Sequence, residues 1–221
     1  MSFEMLQTYV EGKGLKLQLV MEYGSQAFNL DTPQSDTDYL AVVSQESDMY
    51  LALDEPAKSW TTLENTDVSY QFMDLKRFFQ LSQSSNFTLY VGLQNVVWKS
   101  YVLPHLPSPF KFSMNRLAHH CLGLVDNKSQ RQYMKAYSSL FVMFLMQNSH
   151  LPAVLDYKFL LENVKDVPVN VKRLLELKKE GVKLTEVNVD KPYTHDDVNF
   201  LPDVKLDFND YWLTYLKESY A

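Results

Sequence analysis

The spacing of apolar positions changes near the middle of the chain, and that change predicts the architecture. Phe3, Leu6, Tyr9 and Val10 recur at helical spacing, so an amphipathic helix is expected to run up to Gly12 and Gly14. In Leu15–Tyr23, Leu15, Leu17, Leu19 and Met21 alternate with Lys16, Gln18, Val20 and Glu22, the period of a strand, until Gly24-Ser25 breaks it. Asn29 to Ser35 is rich in turn formers and leads into Asp36–Val43, whose apolar end from Tyr39 predicts a buried strand. Another strand is expected at Asp67–Met73, followed by Leu75, Phe78, Phe79 and Leu81 at the spacing of a helix packed on a sheet.

Beyond residue 111 the period is helical throughout: Leu117, Cys121 and Leu124, then Tyr133 to Met146, then Leu174, Leu175 and Leu177. Between the halves, Val102–Phe110 carries Pro104, Pro107 and Pro109 and reads as a stiff connector, dividing the chain into 1–103 and 111–221. Val187–Leu206, rich in Asp, Asn and Pro, is expected to wrap the surface before Phe208, Tyr211, Trp212 and Tyr215 form a last, aromatic-faced helix. The class is therefore α+β.

Composition narrows the functions open to such a chain. With 221 residues, 46% hydrophobic and 14% aromatic, it sustains one sizeable core or two abutting small domains. Lys and Arg number 21 against 27 Asp and Glu, a net charge of −6, which argues against coating nucleic acid or anionic membrane through bulk positive charge. The single cysteine, Cys121, forms no intramolecular disulfide and points to a reducing compartment. The first residues lack the pattern of a secretory signal, and the longest apolar run, Leu140 to Met146, is far short of the roughly 20 residues of a membrane span. A soluble, cytoplasmic protein without membrane partners is expected.

The chemistry concentrates in residues 24–39. Gly24 lets backbone amides approach an anion, and Ser25 adds a hydroxyl at the expected start of a short helix, where free N–H groups and the helix dipole favour phosphate. Asp36 and Asp38 are two residues apart. On a strand they share one face, separated by about 6.6 Å of rise, so two hard oxygen donors converge on one or two Mg²⁺ ions. An EF-hand is excluded, because Asp31, Asp36 and Asp38 do not follow its spacing. Either half alone is ordinary, a turn after a strand or a solvated Asp-x-Asp; phosphoryl chemistry needs both together.

Gly24-Ser25, Ala27-Phe28, Thr32-Pro33 and Ser35-Asp36-Thr37-Asp38-Tyr39 resemble the nucleotidyltransferase motif of the DNA polymerase β superfamily. The resemblance is closer to its bacterial and phage YcgL-like branch, whose pattern runs Gly-Ser, a small residue, an aromatic, a Gly, then Pro-x-Ser-Asp-x-Asp-Tyr. Similarity continues through Asp67-Val68-Ser69-Tyr70 and Leu75 to Phe79 as far as Asn86, and again over Leu177 to Val187. The resemblance implies a small mixed sheet flanked by helices, a helical domain after it, and a cleft between them for a nucleoside triphosphate and an acceptor. Mg²⁺-dependent transfer of a nucleoside monophosphate to an acceptor hydroxyl, with pyrophosphate leaving, is the implied activity. Asp36 and Asp38 would carry a two-ion magnesium site, completed by a third carboxylate from a neighbouring strand, for which Asp67, opening the expected strand, is the candidate and Asp74 the competitor. Gly24 and Ser25 would hold the terminal phosphates, and Lys135, which matches a family lysine, would join them in binding the nucleotide.

The chain also departs from the pattern. Asn29 replaces a Gly, Phe87 a Pro and Val91 a common Glu, and Ser139 and Val142 stand where His and Arg are usual. The drift of the second-half polar set implies altered acceptor recognition, with RNA or tRNA, a protein or a small molecule as acceptor, or else a catalytically silent nucleotide-, RNA- or protein-binding module. Lys111, Arg116, Lys128, Arg131 and Lys135 form a local basic stretch that could meet phosphates, RNA or tRNA included, although such a stretch is more often a solvated helix face. His119-His120 lack metal-ligand spacing, and Tyr133, Tyr137, Phe141 and Phe144 read as core.

Overall fold

The computed structural model describes residues 3–51, 59–65, 67–101, 103, 106, 108–184 and 188–219. Pro104 and Pro107 of the expected connector, and Val187 at the start of the expected wrap, lie outside them. In chain order the elements are α1 (Phe3–Glu11), β1 (Lys16–Tyr23), a 3₁₀ turn (Gln26–Phe28), β2 (Thr37–Ser44), α2 (Ser47–Leu51), β3 (Ser59–Asn65), β4 (Val68–Asp74), α3 (Leu75–Gln83), α4 (Phe87–Gln94) and β5 (Val96–Lys99). The second half holds α5 (Met114–Asp126), α6 (Gln132–Asn148), α7 (Tyr157–Glu162), α8 (Val169–Lys179), a 3₁₀ turn (Asp197–Phe200) and α9 (Asn209–Ser219). The described strands form one mixed sheet in the order β3-β4-β2-β1-β5, antiparallel except for the β2–β4 pair.

The central strands β1 and β2 are buried on both faces, which corrects the simple alternation expected of β1. Leu17 pairs with Val43 and Leu19 with Val42, leaving Gln18 as the extra residue of a β-bulge. The bulge reverses the phase. Leu15 and Leu17 join Val20, Ala41, Val43, Tyr70 and Phe72 in a small core closed by Leu6 and Val10 of α1, whereas Leu19 and Met21 join Leu40 and Val42 on the opposite face. Gln18 itself is buried and donates through Nε2 to Ser44 Oγ at 2.8 Å.

The second face carries the main core, which runs without interruption from the sheet into the helical half. Phe28 lies 4.1 Å, centroid to centroid, from Tyr137 of α6, and Phe87 of α4 packs on both Phe28 and Phe141. Tyr137, Phe141 and Phe144 are fully buried, as the spacing predicts, and Tyr137 satisfies its hydroxyl on the Leu155 carbonyl at 2.7 Å. The tail between residues 188 and 208 is irregular apart from its one 3₁₀ turn. It is fixed to α5 by Asn115 on the Val198 carbonyl, Arg116 on Asp203 and His119 on His195. His120 is structural: its Nδ1 accepts the Phe87 N–H at 2.7 Å, joining α5 to the start of α4. No described helix is long and apolar enough to cross a membrane.

Candidate active site

β1 delivers the chain to Gly24, which takes φ +83°, in the left-handed region that favours glycine. The register Tyr23↔Asp38 places this glycine beside the second acidic residue, and a Cβ on Gly24 would come within 2.5 Å of Asp38 Oδ2. Glycine is thus required twice, by the turn and by the carboxylate. Ser25 follows, buried, with its carbonyl accepting the N–H groups of Phe28 and Leu30 and no hydrogen bond to its hydroxyl among the described residues. The expected helix after it is a single three-residue 3₁₀ turn, too short to sum peptide dipoles, so Ser25 offers a hydroxyl and amides but no helix macrodipole. Phe28 and Leu30 are buried and anchor the loop to the core. Asn29, standing where the resemblance expects Gly, adopts φ 57° and keeps the left-handed turn.

The chain returns through a tight turn, closed by Ser35 N–H on the Thr32 carbonyl and Thr32 N–H on Ser35 Oγ, both at 2.9 Å. Asp36 immediately precedes β2 and Asp38 is its second residue, close enough that their charges repel each other. Burial and that repulsion raise the Asp38 pKa, while a hydrogen bond from Ser69 Oγ to Oδ1 at 2.8 Å and the Arg131 guanidinium act against them.

Asp38 opens onto a cleft of about 330 Å³, lined by Tyr23, Gly24, Phe28 and Gln71 on the sheet side and by Phe87, Thr88 and Val91 of α4. Ser129, Gln130, Arg131, Tyr133 and Met134, around the start of α6, form the facing wall. Asp38 is the one acidic residue in this lining, and Val91 contributes an isopropyl group where the resemblance expects a glutamate.

Two cations converge on the acids. Arg131 lies beside Tyr133 and near Asp38 and Asp36, and these neighbours raise the guanidinium pKa against the cost of burial. Lys178, near the end of α8, reaches Ser35 Oγ at 3.4 Å and lies over the Tyr133 ring. Burial and the nearby Arg131 lower its pKa, against the pull of Asp31 and Asp36. Its neighbour Lys179 donates to Asn29 Oδ1 at 3.0 Å and to Asp31 at 3.3 Å, and Asp156 accepts from Asn29 Nδ2 at 2.7 Å. The helical half therefore grips the loop that carries the motif.

The remaining expected residues are dispersed. Asp67 is exposed in the turn before β4, bonded through its carbonyl to the Thr37 N–H. Asp74 lies five positions further along β4 than Ser69, about 16 Å by strand rise. It is buried, capping α3 through Lys76 N–H at 2.8 Å and accepting the Tyr50 hydroxyl at 2.6 Å. Lys135 is half-buried on α6, one turn beyond Arg131, and is not among the residues lining the cleft. The basic stretch is divided: Arg116 is paired with Asp203, Arg131 enters the cleft, and Lys111 and Lys128 face solvent. Sequence reading singled out Arg131 only as one of five basic residues and missed Lys178, whose signal was slight: a lysine pair within the second stretch of resemblance, at the end of a helix.

Among the described residues no group of three or more His, Cys, Asp or Glu is arranged to hold a metal ion. The donor set nevertheless suits one hard cation shared with a phosphate, since Mg²⁺ is typically held by one or two carboxylates and substrate oxygens. No curated protein matches the chain. A family match spans residues 2–196, and by it the chain belongs to RlaP, the RNA repair pathway DNA polymerase beta family.

Proposed function

We propose that the chain is a Mg²⁺-dependent nucleotidyltransferase that moves a nucleoside monophosphate from a triphosphate to a hydroxyl of RNA. The observation that carries this reading is the pairing of two acids at the start of β2 with two cations, Arg131 and Lys178, from the helical half. In the transfer, the acceptor oxygen bonds to the α-phosphorus, the bond from that phosphorus to the pyrophosphate oxygen breaks, and the hydroxyl proton leaves to a base. Asp36 and Asp38 would hold the metal ion, which supplies a Lewis acid at the α-phosphate.

The chain's own groups do the rest. Arg131 and Lys178 balance the charge that accumulates on the departing pyrophosphate, and the Tyr133 ring lies beside the first and under the second. Ser25 and the amides around Gly24 hold the terminal phosphates. Phe28, Phe87, Val91 and Met134 provide the apolar surface that excludes water and receives a base. RNA as acceptor follows the family description, and exposed Lys128, next to the cleft-lining Ser129, gives its backbone a cation at the mouth.

A second reading, a silent nucleotide-binding module, draws on one observation: no third acid joins Asp36 and Asp38 among the described residues. Incubating the protein with α-labelled triphosphates, Mg²⁺ and total RNA separates the two. Label in RNA supports transfer. Thermal stabilisation by nucleotide with no label in RNA, protein or small molecules supports the module.

A further inference from the structure

We propose that Ser69 occupies the place of a third carboxylate, so that the site takes a divalent cation only with the polyphosphate that carries it, one ion per bound nucleotide. This deepens the nucleotidyl-transfer reading and rests on it. β2 and β4 run parallel with Asp38 and Ser69 paired Cα to Cα, and paired residues of neighbouring strands present their side chains on one face. The contact is direct, hydroxyl to Oδ1 at 2.8 Å. An acid on the neighbouring strand would share a cation with Asp38 from this position, and the position holds a neutral hydroxyl. Asp67, two residues earlier, is exposed in the turn, and Asp74 caps a helix at the far end of the strand.

Two consequences follow for the metal. The Ser69 hydroxyl occupies Oδ1 and leaves Oδ2, beside Gly24, as the freer oxygen of Asp38. Around the two acids stand two cations, Arg131 and Lys178, whose charges offset those of Asp36 and Asp38. A free divalent ion therefore meets little net field, whereas a polyphosphate meets both cations and brings its own ion to the acids. Mg²⁺ is commonly bound in this manner, by one or two carboxylates and substrate phosphates. A pair of ions clamped about 3.5–4 Å apart needs bridging acids that the described residues do not provide.

The experiment is a Mn²⁺ titration of the full chain, followed by electron paramagnetic resonance. It is run alone and with the α,β-methylene analogues of ATP, GTP, CTP and UTP, after subtraction of ion held by free nucleotide. The expected result is no Mn²⁺ bound without nucleotide at millimolar concentration and one ion per chain with the preferred analogue. Ser69→Asp should bind Mn²⁺ without nucleotide and take a second ion with it, whereas Ser69→Ala should keep the wild-type count. Two ions per wild-type chain with nucleotide, or uptake without it, overturns the proposal while leaving the transfer reading intact. An unchanged count in a folded Ser69→Asp variant also overturns it. Failure of every analogue to bind, with or without Mn²⁺, overturns both.

Discussion

The two walls of the cleft are built in different ways. Apart from Gln71 of β4, the sheet wall comes from one continuous stretch, Tyr23 to Asp38, in which a bend at Gly24, a buried anchor at Phe28 and the antiparallel register of β1 and β2 fix the acidic residues. The helical wall is assembled from Phe87 to Val91 of α4 and the start of α6, brought together by packing around Phe28, Tyr137 and Phe141, with Lys178 of α8 standing behind it over the Tyr133 ring. The first wall is a local property of the chain; the second is a property of the core. Substitutions in the sheet wall should therefore remove chemistry, and those in the helical wall should weaken binding.

The largest effect belongs to Asp36→Asn with Asp38→Asn. Incorporation of α-labelled nucleotide should fall to about one per cent of wild type or less. The melting temperature should hold or rise slightly, because a half-buried carboxylate and its repulsion with Asp36 are removed. Full activity in the double variant would show that the sheet wall is not where the chemistry lies. Next is Gly24→Ala, which places a methyl group against Asp38 Oδ2 and forces a left-handed residue, costing about 1–2 kcal/mol of stability and most of the activity.

On the helical side, Arg131→Ala in the wall and Lys178→Met behind it should each raise the dissociation constant for nucleotide about tenfold, equivalent to about 1.4 kcal/mol, with binding measured by calorimetry. The wild-type affinity should fall as salt rises, and less steeply in either variant. Equal loss of kcat at unchanged affinity would move these cations from binding to chemistry. The junction between the walls is sharpened by Asn29. Asn29→Gly keeps the left-handed turn and loses only the contacts to Lys179 and Asp156, so it should cost less stability than Asn29→Ala, which loses both.

The smallest effect is a pH dependence. Burial lowers the His120 pKa, and its Nδ1 accepts the Phe87 N–H only when unprotonated. The unfolded chain, with a histidine near 6.5, takes up the proton first as pH falls, so the contribution is complete above about pH 6.5 and is lost progressively below it. His120→Asn, which retains an acceptor, should flatten that dependence in thermal melts at pH 7.5 and 5.5.

The same contrast explains what the sequence disclosed. The glycine-serine turn, the two acids, β2, β4 and the helices α3, α5, α6, α8 and α9 were legible because each is written in neighbouring residues: a period, a cap or a breaker. Even the left-handed Asn29 could be anticipated, since asparagine tolerates that conformation. The bulge at Gln18 was not, because pairing partners decide it and Leu15 to Met21 scan as an unbroken alternation. α4 escaped notice as a uniformly apolar run buried all round, and β5 as a four-residue strand. Lys178 is more than 140 residues away from Ser35, and no local pattern marks their meeting.

The bulge has a consequence for how the chain tolerates changes in length. Every pairing from Leu19 to Tyr23 continues regularly against Val42 to Asp38, while the extra residue is absorbed upstream. Excising Gln18 would merely straighten the ribbon there, letting Leu17 and Leu19 follow each other opposite Val43 and Val42. An excision between residues 19 and 23 would slide the glycine bend past Asp38. Gln18 thus works as a slip joint, insulating the Gly24–Asp38 end of the hairpin from indels at its entrance.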